Sequence, residues 1–243
     1  MQTHTPMLRF EAPPPFTKQI IFALLGLFVV LLIVENWIGF PLREQLAWHP
    51  EQIFAKPWQA ITHFLYQGTR PINFLFELLS IYFFLPPMQR NYGKKGIYRL
   101  SAIVLFVTAL FGALSIILGA IAPKDPALGI GPFVTAMIVV FGLTNPRATI
   151  LLIVFPIQAA WIAWGTGLLA ALGFLSTRSL PSALWLAGWI AGYAFIELQP
   201  GGKIRRFFIR RKHQQTHKRL HGKSSRKKPH LTIHTGGKDE TFH

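Results

Sequence analysis

Glu77 and Glu197 are carboxylates set in long apolar stretches, Ser115 and Thr135 are hydroxyls in similar surroundings, and His49 and His63 stand in a mixed segment between two such stretches. Two carboxyls that share a proton make an aspartyl-type catalyst. Glu77 and Glu197, however, fall near opposite faces of the membrane-like part of the chain. A hydroxyl beside an imidazole makes a nucleophile, yet His63 and Ser115 have no motif spacing that joins them, and Thr135 has no base beside it in sequence. The apolar region carries neither a His-x-x-x-His pair nor a carboxylate cluster, so no metal site is expected. Phosphate-cradling and dinucleotide glycine patterns are missing, so no cofactor is expected. The chain has no cysteine, which excludes a disulfide framework, thiolate metal sites and a cysteine nucleophile, and leaves the redox compartment open.

The elements that carry these residues belong to a membrane. The chain has 243 residues, 51% of them hydrophobic and 14% charged, and 13 of its 25 Lys and Arg lie from Lys203 onward. A nucleic-acid binder would spread such charge over its surface, whereas here it is a tail. Residues 1–18 read as a flexible cytoplasmic lead, 19–199 as the membrane domain and 200–243 as a basic, disordered cytoplasmic tail. The first apolar run, Ile20 to Val34 and on through Trp37 to Phe40, is long enough to cross a hydrocarbon core of about 30 Å. No small-x-small cleavage site follows it, which favours a retained helix over a signal peptide. Pro41 to Gly68 mixes Trp48, Phe54, Trp58, Phe64 and Tyr66 with charges, as suits a loop lying at the interface.

Further spans are expected at Pro71 to Leu85, stopped by Pro86 and Pro87, and at Ile97 to Ile121. Gly129 to Leu143 is short and opens Gly-Ile-Gly-Pro, so a helix starts near Gly131 with proline in its first turn. At about 1.5 Å per residue it does not cover the full thickness. It begins below the surface, where irregular backbone survives only if protein or trapped water surrounds it. The fifth span runs from Ala148 to Phe174 with breaks near Gly165 and Gly167, and the sixth from Leu180 to Leu198. With six spans, 20 basic residues fall on the side of both termini and five on the other, Arg43, Lys56, Arg70, Lys124 and Arg178. The positive-inside rule then makes this a multi-pass protein with both termini cytoplasmic.

Six spans, an interfacial first loop and a short buried fourth helix resemble the rhomboid family of intramembrane serine proteases. Pro57-Trp58-Gln59-Ala60-Ile61-Thr62 is similar to that family's first-loop entry. Leu85-Pro86-Pro87-Met88-Gln89-Arg90-Asn91-Tyr92-Gly93 resembles the turn after its second span, with Gln89 where glutamate is usual. Pro156-Ile157-Gln158-Ala159-Ala160-Trp161 is similar to its fifth-span entry, and Gly188 with Gly192 to its last helix. The resemblance covers residues 20 to 198 and implies an all-α, polytopic fold, a six-transmembrane-helix rhomboid-like bundle.

It also implies where chemistry would sit. The family's serine lies in a Gly-x-Ser-Gly segment that here reads Gly129-Ile130-Gly131-Pro132, so Gly131 occupies the serine position. The histidine position is Trp185, and no histidine stands between residues 64 and 212. The family's His-x-x-x-Asn pair becomes Asn73 and Glu77. Without nucleophile or base the resemblance implies a pseudoprotease-type member, with no catalytic residues.

Glu77 then has two readings. A carboxylate near mid-bilayer costs on the order of 2.5 to 3.5 kcal/mol, so it is paired, hydrated or protonated. Either it faces the cavity with Asn73, Gly131, Thr135 and Trp185 and contacts polar residues in the transmembrane segments of client proteins, or it makes a structural bond between spans. Gly188 and Gly192 permit close helix packing. The basic tail, with Lys203, Arg205, Arg206, Arg210, Arg211 and Lys212 nearest the membrane, is expected to attract anionic lipid headgroups. Nucleic acid is a weaker alternative partner for it, and a third possibility makes the bundle only an anchor for the tail. A protease built on non-standard residues is the enzymatic alternative.

Overall fold

The computed structural model describes residues 13–68, 70–119, 126–152 and 155–199, all but the last two within one compact unit, Met1–Glu197. The expected lead before residue 13 and the basic residues Lys203 to Lys212 lie outside the described residues. Helix α1, Pro15–Asn36, starts with proline at its first turn and keeps an apolar surface turned outward, with only Thr17 and Phe28 buried. The expected continuation to Phe40 does not form: Gly39 turns at φ 74°, and Trp37, Ile38 and Phe40 are exposed.

The segment before the next long helix holds α2, Leu42–Leu46, a 3-10 turn at Pro50–Gln52 and α3, Gln59–Thr62. Helix α4, Pro71–Ile117, is one 47-residue element divided by a kink at Gly93, φ 65° and ψ −178°. Here the sequence expectation is corrected, because Pro86 and Pro87 lie within the first arm instead of stopping it. Proline removes two backbone donors, but Leu85, Pro86 and Met88 are buried on that turn. Packing holds the helix until a glycine supplies the left-handed turn that the prolines do not.

Helix α5, Gly131–Thr144, buries ten of its 14 residues and is the axis of the unit. Ile81, Leu85 and Met88 from the first arm of α4, Leu100 and Val104 from the second, Val134 and Met137 from α5, and Phe195 from the last helix share one core. Next come strands β1, Thr149–Leu152, and β2, Phe155–Gln158, an antiparallel pair with Thr149 opposite Gln158 and Leu152 opposite Phe155. The fifth apolar element therefore begins later than expected, as α6, Ala159–Thr177. Pro156 denies the preceding segment a helical bond, and its β-branched Thr149, Ile150 and Ile157 suit strands.

Helix α6 is unbroken at Gly165 and Gly167, and beside Gly167 the Trp189 indole fills the space and donates to Ala163 O at 2.8 Å. Helix α7, Leu180–Glu197, closes the unit. Helices α1, α4 and α6 are long and apolar enough to cross a membrane by length and composition. The described residues are thus mostly helical, with one small hairpin among them added to the all-α expectation.

Candidate functional site

Three elements converge at the start of α5. A methyl group placed on Gly131 would stand 2.9 Å from Trp185 Nε1 on α7 and 3.7 Å from Glu77 Oε1 on α4. One on Gly129 would stand 3.2 Å from both Glu77 Oε1 and Gln67 Oε1. Gly129 has φ 87°, so glycine is needed there for backbone reasons as well as for space. The Trp185 ring is 55% exposed, so one side of the site opens away from the protein.

The N–H groups at the start of a helix have no partner within it. The first loop supplies the acceptors. Gly129 N–H donates to the His63 carbonyl at 2.9 Å and Ile130 N–H to Gln67 Oε1 at 3.2 Å, while Gln67 Nε2 donates to Phe64 O at 3.0 Å. Gln67 is 4% exposed. Sequence reasoning missed it, and its only signal was an amide inside the aromatic run Phe64-Leu65-Tyr66-Gln67 just before the Pro71 helix start.

The loop itself is pinned by buried polar bonds. Gln59, fully buried, accepts from His49 N–H at 3.1 Å and donates to Glu44 O at 2.9 Å. Trp48 pairs its backbone with Ala127 at 2.9 Å in both directions, and its ring fills the space beside Gly112. Trp48 is therefore a core residue, 1% exposed. Tyr66 donates to both Glu35 oxygens, at 2.7 and 2.9 Å, tying the loop to the end of α1. Burial and that bond raise the Tyr66 hydroxyl above its ordinary range.

His63 is fully buried between Trp48 and Phe64. Its Nδ1 lies 3.0 Å from Gln59 O and so carries the proton, while Nε2 has no partner among the described residues. Burial lowers its pKa to about 4, which keeps the ring neutral. No hydrogen bond joins it to Ser115 among the described residues. Thr135, 8% exposed, spends its hydroxyl on Gly131 O at 3.0 Å, within its own helix. Asn73 is exposed on α4 and is not brought to the others. The structure therefore brings together Gly131, Trp185 and Glu77, with Thr135 one turn along, and adds Gly129 and Gln67.

Below this point α5 and α7 touch backbone to backbone. A side chain on Gly188 would enter Pro132, with Cα at 2.7 Å, and one on Gly192 would meet Ala136 O at 2.7 Å. Among the described residues no group of three His, Cys, Asp or Glu is placed to hold a metal ion.

Residues 19–221 match the model of the family described as eukaryotic integral membrane protein (DUF1751). None of the curated proteins matches the chain. The match spans most of the sequence, so the chain belongs to that family and is an integral membrane protein.

Proposed function

We propose that this protein is a six-span, rhomboid-like membrane scaffold without protease chemistry that holds transmembrane segments of other proteins at the cleft between Glu77, Gly131 and Trp185. The six crossings are α1, the two arms of α4, α5, α6 and α7, with both termini on the cytoplasmic side. The observation that carries the reading is the convergence at Gly131. The point that would bear a nucleophile bears none, and its neighbour is an indole, which takes no proton. The N–H groups of Gly129 and Ile130, just before that point, already donate to His63 O and Gln67 Oε1. What remains beside the exposed Trp185 ring is one carboxyl, Glu77, with no hydrogen bond among the described residues.

A carboxyl in such a place is costly, and it regains that cost when a polar group of a passing segment bonds to it. An asparagine or threonine in the middle of a client's span is such a group. The test uses the purified full chain in lipid nanodiscs with two single-span reporter peptides, one carrying a central asparagine and one entirely of leucine. Retention of the asparagine peptide alone, lost in Glu77→Leu and kept when residues 203–243 are deleted, is the expected result. Equal retention of both peptides overturns the reading, and loss on tail deletion transfers binding to the tail. Labelling of one serine by a fluorophosphonate probe returns the protein to the proteases.

A further inference from the structure

An apolar crevice of about 260 Å³ lies between α1, α4 and α5, lined by Phe16, Ile20, Ile97, Val104, Ile130 and Phe133 among others. Its one serine, Ser101, donates to its own helix at Ile97 O, 3.1 Å away, and offers nothing to a guest. Water finds no set of polar partners there, and apolar cavities of this kind stay dry and admit hydrocarbon. An alkyl chain fits, because a hole of about 150 Å³ already holds a benzene ring.

A cation stands over one wall of the crevice. Phe16, in its wall, stands edge-on to Tyr98 at 6.1 Å between centroids and lies under Lys94 Nζ at 5.1 Å. Lys18 on α1 and Lys94, Lys95 and Arg99 on the second arm of α4, each within four residues of a lining residue, are all exposed. An apolar slot beside Lys94, with Lys18, Lys95 and Arg99 exposed nearby in sequence, matches one membrane component by charge: a phospholipid with an anionic headgroup.

We infer that the crevice between α1 and the second arm of α4 is a binding site for an anionic phospholipid, one acyl chain lying along Ile20, Ile97 and Val104 and the phosphate held by Lys94 and Lys95. This site is separate from the Glu77 cleft and stands or falls independently of it.

The probe is phosphatidylserine bearing a photoactivatable diazirine in one acyl chain, incorporated in phosphatidylcholine vesicles with the full chain. Labelled peptides are mapped by mass spectrometry. The expected labels fall on residues 16–24 and 97–105, and phosphatidylcholine carrying the same diazirine labels them far less. Ile20→Trp, which fills the slot from the α1 side, lowers that labelling at least tenfold. Ser101→Phe fills it from the α4 side and does the same should the first variant misfold. Lys94→Gln with Lys95→Gln reduces the preference for phosphatidylserine about 25-fold, near fivefold for each lysine contact. Equal labelling by both lipids, or labelling unchanged by Ile20→Trp and Ser101→Phe, overturns the inference.

Discussion

The α5–α7 seam and the Glu77 cleft meet on the same helix, one turn apart, and are built in opposite ways. At the seam Gly188 and Gly192 bring backbones into contact with Pro132 and Ala136, and no polar side chain is involved. At the cleft Gly129 and Gly131 remove side chains as well, but the space they leave faces a carboxylate and an exposed indole ring. The same residue type thus closes one region and opens the other. Dispersion and backbone proximity hold helices together inside a membrane, so the seam needs no chemistry, and the bundle keeps its shape whatever stands at the cleft.

That contrast is broken most strongly at the seam. Gly188→Leu drives a side chain into the Pro132 backbone and is expected to cost about 3 kcal/mol or more, read as a lower midpoint of unfolding in detergent. A stable Gly188→Leu protein would mean that α5 and α7 slide freely. The first loop comes next. The unfolded chain takes up a proton at residue 63 below about pH 6.5, whereas the buried ring resists protonation until about pH 4. Stability therefore rises with pH across that window and is lost as pH falls through it, by on the order of 3 kcal/mol for a ring this buried. In His63→Leu the slope between pH 6.5 and 4 should flatten, which a pH series of unfolding midpoints checks.

Gln59→Leu removes two bonds that hold the loop, leaving His49 N–H without its acceptor and Glu44 O with Lys56 Nζ alone, for an expected loss of about 2 kcal/mol by the same assay. The smallest change in stability is expected at the cleft. Glu77→Leu removes a half-buried carboxyl that has no hydrogen bond among the described residues and should stabilise by about 1 kcal/mol while abolishing capture of an asparagine-bearing segment. A destabilised Glu77→Leu would make the carboxyl a structural bond and sharpen the contrast against the proposal.

The parts legible in the sequence are those fixed by neighbours along the chain. Gly131-Pro132 marks the start of α5, and Leu180 and Glu197 bound α7, because proline at a first turn and the run of apolar residues are local signals. Pro86-Pro87 misled for the same reason. Locally the pair reads as a stop, but burial of Leu85 and Met88 carries the helix on to Gly93. The hairpin at Thr149–Gln158 was hidden because an apolar run of this length has no period that separates strand from helix. In the site, Gly131, Trp185 and Glu77 could be named from family resemblance. Gln67 could not, because its partner at Ile130 lies 63 residues away and only the fold joins them.

The chain has no native cysteine, so a single Trp185→Cys places one thiol at the mouth of the cleft. Disulfide formation with a single-span peptide that carries one cysteine beside a central asparagine measures occupancy directly. The account predicts a cross-link that disappears when the asparagine becomes leucine and again in the Trp185→Cys, Glu77→Leu double variant. A cross-link of equal yield in all three arrangements would show that segments pass Trp185 without being recognised there, and would contradict it.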